Sequence, residues 1–186
     1  VVNSKILDKV PKQKKENWIC AISRVVNRKN FKDALLAFAP YAHKYRLKFI
    51  TSVTGDISHE IQSCGLEGKI DFVLQPNDYE KFEIIKKCKL MINASKFEGF
   101  GMWLIEALAC GIPCVCYDYP TFKEITANDK NAQKMVFMAK NGSLDDLTNK
   151  LGEAIDYAEK ITKRYYDKRY SFKKLVKEIK ELINGK

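Results

Sequence analysis

The chain has 186 residues, enough to enclose one substantial core, and its 46% hydrophobic and 30% charged side chains exclude a disordered tail or a fibrous repeat. A formal net charge of +10, from 33 Lys and Arg against 23 Asp and Glu, favours an anionic partner: a nucleotide, a nucleic acid or an acidic membrane face. Much of that excess lies at the two ends, from Lys5 to Lys15 and from Lys160 to Lys186, and not around any central site.

Short β-branched apolar runs alternate with longer helical patterns. A secretory leader is not expected at the start, where Lys5, Asp8 and Lys9 interrupt the apolar residues. Trp18 to Val26 reads as a strand ending near Ser23. Asn30, with Asp33 three residues on, predicts an N-cap for a helix with Phe31, Leu35, Phe38 and Ala42 on one face. Leu47 to Val53 reads as a strand, Asp56 to Cys64 as a short helix, Ile70 to Leu74 as a third strand and Asp78 to Cys88 as a helix. Leu90 to Ala94 is the next strand, Pro120 to Thr126 a short helix and Lys134 to Ala139 a last strand. Ser143, followed by Asp145 and Asp146, starts an amphipathic helix to about Tyr157, and a basic helix from Ser171 to Ile183 closes the chain.

Between these lies SKFEGFGMWLIEALACGIPCVC, Ser95 to Cys116, whose apolar length suits a membrane span. Gly111-Ile112-Pro113 breaks it and Glu106 sits inside it, so a helix from Gly101 to Cys110, a tight turn and a buried strand from Cys114 to Tyr117 account for it better. Strict alternation of hydrophobic strands and helices predicts one α/β domain, a Rossmann-like parallel sheet with helices on both faces. Cys20, Cys64, Cys88, Cys110, Cys114 and Cys116 lack the CxxC spacing of a zinc site. They read as small core residues of a protein kept in a reducing, cytoplasmic compartment. His43 and His59 are isolated and take no catalytic role. No G-x-G-x-x-G follows the first strand, which excludes the dehydrogenase reading.

In an open parallel sheet ligands gather beyond the carboxyl ends of the strands. Arg24 and Lys29 follow the first strand there, and Ser95 to Gly101 follows the strand ending at Ala94. Gly99 and Gly101 permit close backbone approach, and the helix start beyond them suits a phosphate. Two cations and one helix N-terminus describe a diphosphate pocket. Glu106, about a turn and a half up that helix, is placed to accept from the vicinal hydroxyls of a ribose. A structural reading stands beside this: Arg24 as an ion-pair partner of Glu106, Lys29 on the surface, and Phe100 in the core.

The run EGFGMWLIEALACGIPCVCYDYPTFKEI resembles the signature of the family 4 glycosyltransferases of the GT-B fold. Glu98 and Glu106 match its two glutamates eight positions apart (the EX7E motif), Ala109 to Pro113 its A-x-G-x-P, and Glu124 its later acid. Arg24 and Lys29 match its Arg and Lys five apart. The resemblance implies a UDP- or GDP-sugar donor and retaining transfer of a hexose to a glycan, lipid or other acceptor, with no cofactor and no metal. Arg24, Lys29 and Glu98 would form the catalytic centre. Gly99, Phe100, Gly101 and Met102 would support sugar and phosphate, Glu106 would hold the ribose, and Leu74 and Gln75 would meet the base. Ser23 and Leu74 stand where the family has Gly, and 127–139 lacks its glycine-led loop.

The family pairs two such domains, and this chain resembles only the second, which implies a C-terminal donor-binding half whose acceptor-binding N-terminal domain is its partner. The basic tail suits contact with the cytoplasmic face of a membrane. A nucleic-acid partner is not expected, because the basic residues lack interleaved aromatics apart from Tyr165, Tyr166 and Tyr170. A non-catalytic nucleotide-sugar-binding module uses the same residues and remains the alternative.

Overall fold

The computed structural model describes residues 2–24, 29–52 and 57–161, together with 165, 166, 169 and 181. Six parallel strands, β1 (Trp18–Ile22), β2 (Arg46–Thr51), β3 (Ile70–Leu74), β4 (Leu90–Asn93), β5 (Cys114–Tyr117) and β6 (Val136–Ala139), lie in the order β3-β2-β1-β4-β5-β6. The helices are α1 (Ser4–Leu7), α2 (Phe31–Phe38), α3 (Ser58–Ser63), α4 (Asp78–Lys87), α5 (Met102–Ala109), α6 (Pro120–Thr126), α7 (Lys130–Met135) and α8 (Leu144–Lys160). This is the Rossmann-like α/β architecture that the alternating pattern predicts.

Both faces of the sheet are covered, as its unbroken apolar strands require. Alternate residues go to opposite sides: Cys20, Met91, Cys114 and Cys116 pack with α4, α5 and α7, while Ile19, Ala21, Ile92, Val115 and Tyr117 pack with α2 and α8. Five of the six cysteines are buried, and burial pushes the Cys110 thiol up to about 12 and Cys20, Cys114 and Cys116 further up as well. Protonated thiols in an apolar layer fill space, as the sequence reading expects. No described helix is long and apolar enough to cross a membrane.

Sequence order and strand order part company between β1 and β4. The chain leaves β1 toward β2 on one side and arrives at β4 after β3, so the connections diverge and leave a crevice at the carboxyl ends. Asn93, buried at the end of β4, bridges that divergence: its side-chain amide donates to the Ile22 carbonyl (3.3 Å) and its side-chain oxygen accepts from the Ser95 N–H (2.9 Å).

Several local expectations change. Asn30 does precede α2, but in the left-handed region (φ 47°), and makes no side-chain cap; its amide donates to Asp33 Oδ2 at 2.5 Å. Asp33 Oδ2 also accepts from the Tyr117 hydroxyl (2.6 Å), so this carboxylate knits α2 to β5. Ala42 lies beyond α2, after a 3-10 turn at Ala39–Tyr41. Lys134 and Met135 belong to α7 and not to the last strand, because Asp129 caps a short helix by accepting from the Asn131 and Ala132 N–H groups. The expected basic helix from Ser171 to Ile183 lies outside the described residues apart from Glu181, which is helical.

Gly101 and Gly99 differ physically. Gly101 has φ 72°, and a Cβ there would meet Phe122 at 3.0 Å and Ile125 at 3.1 Å, whereas Gly99 has no such φ and open space around it. Gly101→Ala is therefore expected to cost about 1–2 kcal/mol in left-handed strain alone, read as a drop in the denaturation midpoint, while Gly99→Ala leaves the midpoint unchanged.

Candidate functional site

A cleft of about 360 Å³ opens at the divergence of β1 and β4, a size suited to a small-molecule ligand. Ser23, Arg24 and Lys29 line it from the β1 side, and Glu98, Met102 and Trp103 from the loop and helix after β4. Thr51, Ser52 and Gln75 close the end nearer β2 and β3, and Lys81 of α4 forms part of the wall. The fold thus brings Arg24, Lys29, Glu98, Met102 and Gln75 to one cavity. Gly99, Phe100 and Gly101 adjoin it along the chain, Leu74 is 56% exposed, and Glu106 does not line the cleft but pairs with Lys81, which does.

Two ion pairs organise the cavity. Lys29 Nζ donates to Glu98 Oε1 at 2.5 Å, with both side chains largely buried. This joins the loop after β1 to the loop after β4, and Lys29 is not a surface lysine. Thr121, at the start of α6, donates to the Glu98 carbonyl (3.0 Å) and fixes the loop from the other side. Phe100 is half exposed and so is not a core residue; it sits on the rim.

The second pair corrects the expected partner of Glu106. Neither Arg24 nor Lys29 satisfies it: Lys81 Nζ donates to Glu106 Oε1 at 2.7 Å and to Asp78 Oδ1 at 2.9 Å. The Lys81 and Glu106 side chains are only 18% and 11% exposed. Burial alone would lower the Lys81 pKa, but the adjoining carboxylates of Glu106 and Asp78 outweigh it and carry it above the ordinary value. Asp78 is lowered, chiefly by its hydrogen bond from Lys81. Arg24 is exposed at the cleft edge.

Gln75 adopts φ 43°, held by its N–H to the Thr51 carbonyl (2.9 Å) and its side-chain amide to the Ser52 carbonyl (2.9 Å). Both bonds clamp the cleft's far end. Helix α5 follows an N-cap glycine, Gly101, that offers no side-chain cap, and its first turn carries no acidic residue, so its positive dipole end faces this loop. Among the described residues no three His, Cys, Asp or Glu side chains gather as metal ligands would.

The sequence model for the family described as "Glycosyl transferases group 1" matches residues 2–183. The chain belongs to the glycosyl transferases group 1 family. Among its relatives, an N-acetylgalactosamine-N,N'-diacetylbacillosaminyl-diphospho-undecaprenol 4-alpha-N-acetylgalactosaminyltransferase of Campylobacter jejuni is 29% identical over 166 residues, 83% of this chain and 44% of the relative. A poly(glycerol-phosphate) alpha-glucosyltransferase of Bacillus subtilis is 33% identical over 153 residues, 78% of this chain and 21% of the relative. This group 1 chain therefore spans less than half the length of both. Anabaena HepE, solved in complex with UDP and glucose, shares the fold with a TM-score of 0.69 at 18% identity, over 97% of this chain and 51% of that one. The group 1 chain thus has the Rossmann-like architecture of GT-B glycosyltransferases.

Lys81, Asn93, Thr121 and Trp103 were not singled out from the sequence of this group 1 domain. For Lys81 a signal exists: Phe82 and Ile85 are the buried residues of α4, and Lys81 lies one turn before Ile85. A lysine on a buried face requires a buried acid, and Glu106 is the acid.

Lys81→Met leaves Glu106 without its counter-charge and is expected to cost about 3 kcal/mol in chemical denaturation; a Lys81→Met/Glu106→Leu pair recovers most of that. The pH sign follows from the two shifts. The lowered Asp78 contributes stability present above about pH 4 and lost as pH falls; the raised Lys81 contributes stability present below about pH 10 and lost as pH rises. The contribution of these two groups to wild-type stability is thus expected to be greatest between those limits and to shrink outside them, read by chemical denaturation across pH.

Proposed function

We propose that this chain is the donor-binding half of a two-domain, family 4 retaining glycosyltransferase that moves a hexose from a nucleotide-diphosphate sugar to an acceptor. The observation that carries the reading is the convergence of Arg24, Lys29, Glu98 and the start of α5 at Met102 on one cleft at the β1/β4 divergence. Two cations and a helix N-terminus there suit a diphosphate. Glu98 sits where the sugar hydroxyls would lie if the diphosphate met Lys29, with Glu106 further along α5 toward the ribose. Leu74 and Gln75, at the β2/β3 end, would border the base.

The reaction breaks the bond between the anomeric carbon and the phosphate oxygen. Positive charge grows on the sugar and negative charge on the departing nucleoside diphosphate. Arg24 and Lys29 oppose that negative charge with donors already in place, and no solvent reorganisation is required at the moment of bond cleavage. Lys29 is held by Glu98 in the unliganded cleft, so phosphate arrival shares or transfers this lysine. No metal is invoked in this reading. The relatives named above bear names for a diphospho-undecaprenol-linked and a poly(glycerol-phosphate) acceptor; an acceptor of that kind, at a membrane face reached by the basic residues of 160–186, fits the charge of this sequence. The acceptor site and the groups facing the donor are assigned to a partner N-terminal domain.

Calorimetric titration with UDP, GDP and their common sugar conjugates tests the donor assignment. One nucleoside diphosphate is expected to bind saturably, and Arg24→Ala to weaken it by about 10- to 100-fold through loss of a charge-assisted hydrogen bond, with an unchanged melting temperature. Binding that Arg24→Ala leaves intact contradicts the reading. The chain alone is expected to make no glycoside product; turnover above that of Arg24→Ala would overturn its assignment as half of an enzyme.

A further inference from the structure

The Lys81–Glu106 contact leaves each partner with something to spare. An ammonium group has three donors. Lys81 commits one to Glu106 Oε1 and one to Asp78 Oδ1, and the third has no partner among the described residues. Glu106 Oε1 is occupied by Lys81, while Oε2 accepts no hydrogen bond from the described residues. A donor and an acceptor without a partner among the described residues therefore stand on adjacent, largely buried groups; Lys81 lines the cleft, and Glu106 is paired to it.

Their position decides what meets them. The cleft runs from the cationic end at Arg24 and Lys29 to the Ser52–Gln75 end at β2 and β3, with Lys81 part of the wall between. On the proposed function, on which this inference rests, the ribose of the donor occupies that stretch. A ribose offers two vicinal hydroxyls, each able to donate and to accept. A lone carboxylate can only accept from both. A carboxylate with an ammonium beside it can accept from one hydroxyl and donate to its neighbour.

We propose that Lys81 is a specificity-determining residue of the donor site, reading one hydroxyl of the ribose diol as a hydrogen-bond donor while Glu106 reads the other as an acceptor. Asp78 holds Lys81 in place: it belongs to the first turn of α4, whose start is fixed by a reciprocal capping box between Asn77 and Glu80. Lys81 has a second restraint in the Phe82 ring, 4.9 Å from Nζ to the centroid. A long, flexible side chain is thereby held in one geometry before any ligand arrives, which is what discrimination between a hydroxyl and a hydrogen requires.

The test measures ratios within each variant, so that lost stability does not mimic lost recognition. UDP and GDP are titrated into wild type, and the one that binds is compared with its 2′-deoxy and 3′-deoxy forms. Wild type is expected to bind each deoxy form about tenfold or more weakly. Lys81→Met is expected to bring one of the two ratios down to about one and leave the other, and Glu106→Gln to lower the ratio that Lys81→Met leaves. Lys81→Arg, which keeps the charge and the pair with Glu106, is expected to retain discrimination at both positions. If wild type binds both deoxy forms as well as the parent nucleotide, the inference falls without recourse to any variant. If Lys81→Met weakens all three ligands equally, Lys81 is structural and the inference falls alone. Failure of wild type to bind either nucleoside diphosphate would overturn this inference and the proposed function together.

Discussion

A carboxylate inside an apolar helix cannot remain charged without a counter-charge, and this requirement organises one end of the molecule. Glu106 lies on α5 among buried residues, and Lys81 reaches it from α4 at 2.7 Å. Taking both ions from water costs several kcal/mol each, so the pair adds little net stability over an apolar replacement, while loss of either partner alone is severe. An arrangement that stabilises little and is costly to disturb points to function at the cleft more than to the core beneath it. Lys29 and Glu98 repeat the logic across the divergence of β1 and β4. Two cations and two carboxylates are thus locked in opposed pairs around one cavity, with Arg24 exposed at its edge.

The scaffold makes that possible by keeping its irregular features at the carboxyl ends of the strands. Below them the sheet is closed on both faces by apolar layers that include five buried cysteines. Above them the backbone takes conformations that ordinary residues avoid: Asn30 and Gln75 with positive φ, and Gly101 where a side chain would strike Phe122. Asn93 ties β4 to β1 at the point where the strand order would otherwise let them part. Positive φ at non-glycine residues is held only where surrounding bonds over-determine it; the two amide bonds of Gln75 supply this at the far end of the cleft.

The succession of strands and helices along the chain, their layering and the burial of five cysteines were legible in the sequence because they follow from periodicity, which local residues carry. The helix through Glu106 was legible for the same reason, with Gly111 and Pro113 marking its end. Helix α7 was not, because the strongest local signal at 134–139 is β-branched and aromatic, and the decisive cap, Asp129, lies five residues earlier. The partner of Glu106 was not legible either. Arg24 and Lys29 share its end of the sheet, but contact depends on which helix packs beside α5, and α4 lies 25 positions from Glu106 at Lys81. Phe100 shows the converse: apolar in sequence, it faces outward on a rim.

In the proposed function a nucleoside diphosphate lies across the carboxyl ends of β1 and β4. A crystal structure of the chain with bound UDP or GDP tests it most directly. Phosphate oxygens are expected within hydrogen-bonding distance of Arg24 and Lys29, with the Lys29–Glu98 contact lengthened from 2.5 Å and the ribose beside Glu106 and Lys81. A diphosphate bound elsewhere, with Lys29 still on Glu98 and the cleft filled only by water, would contradict it.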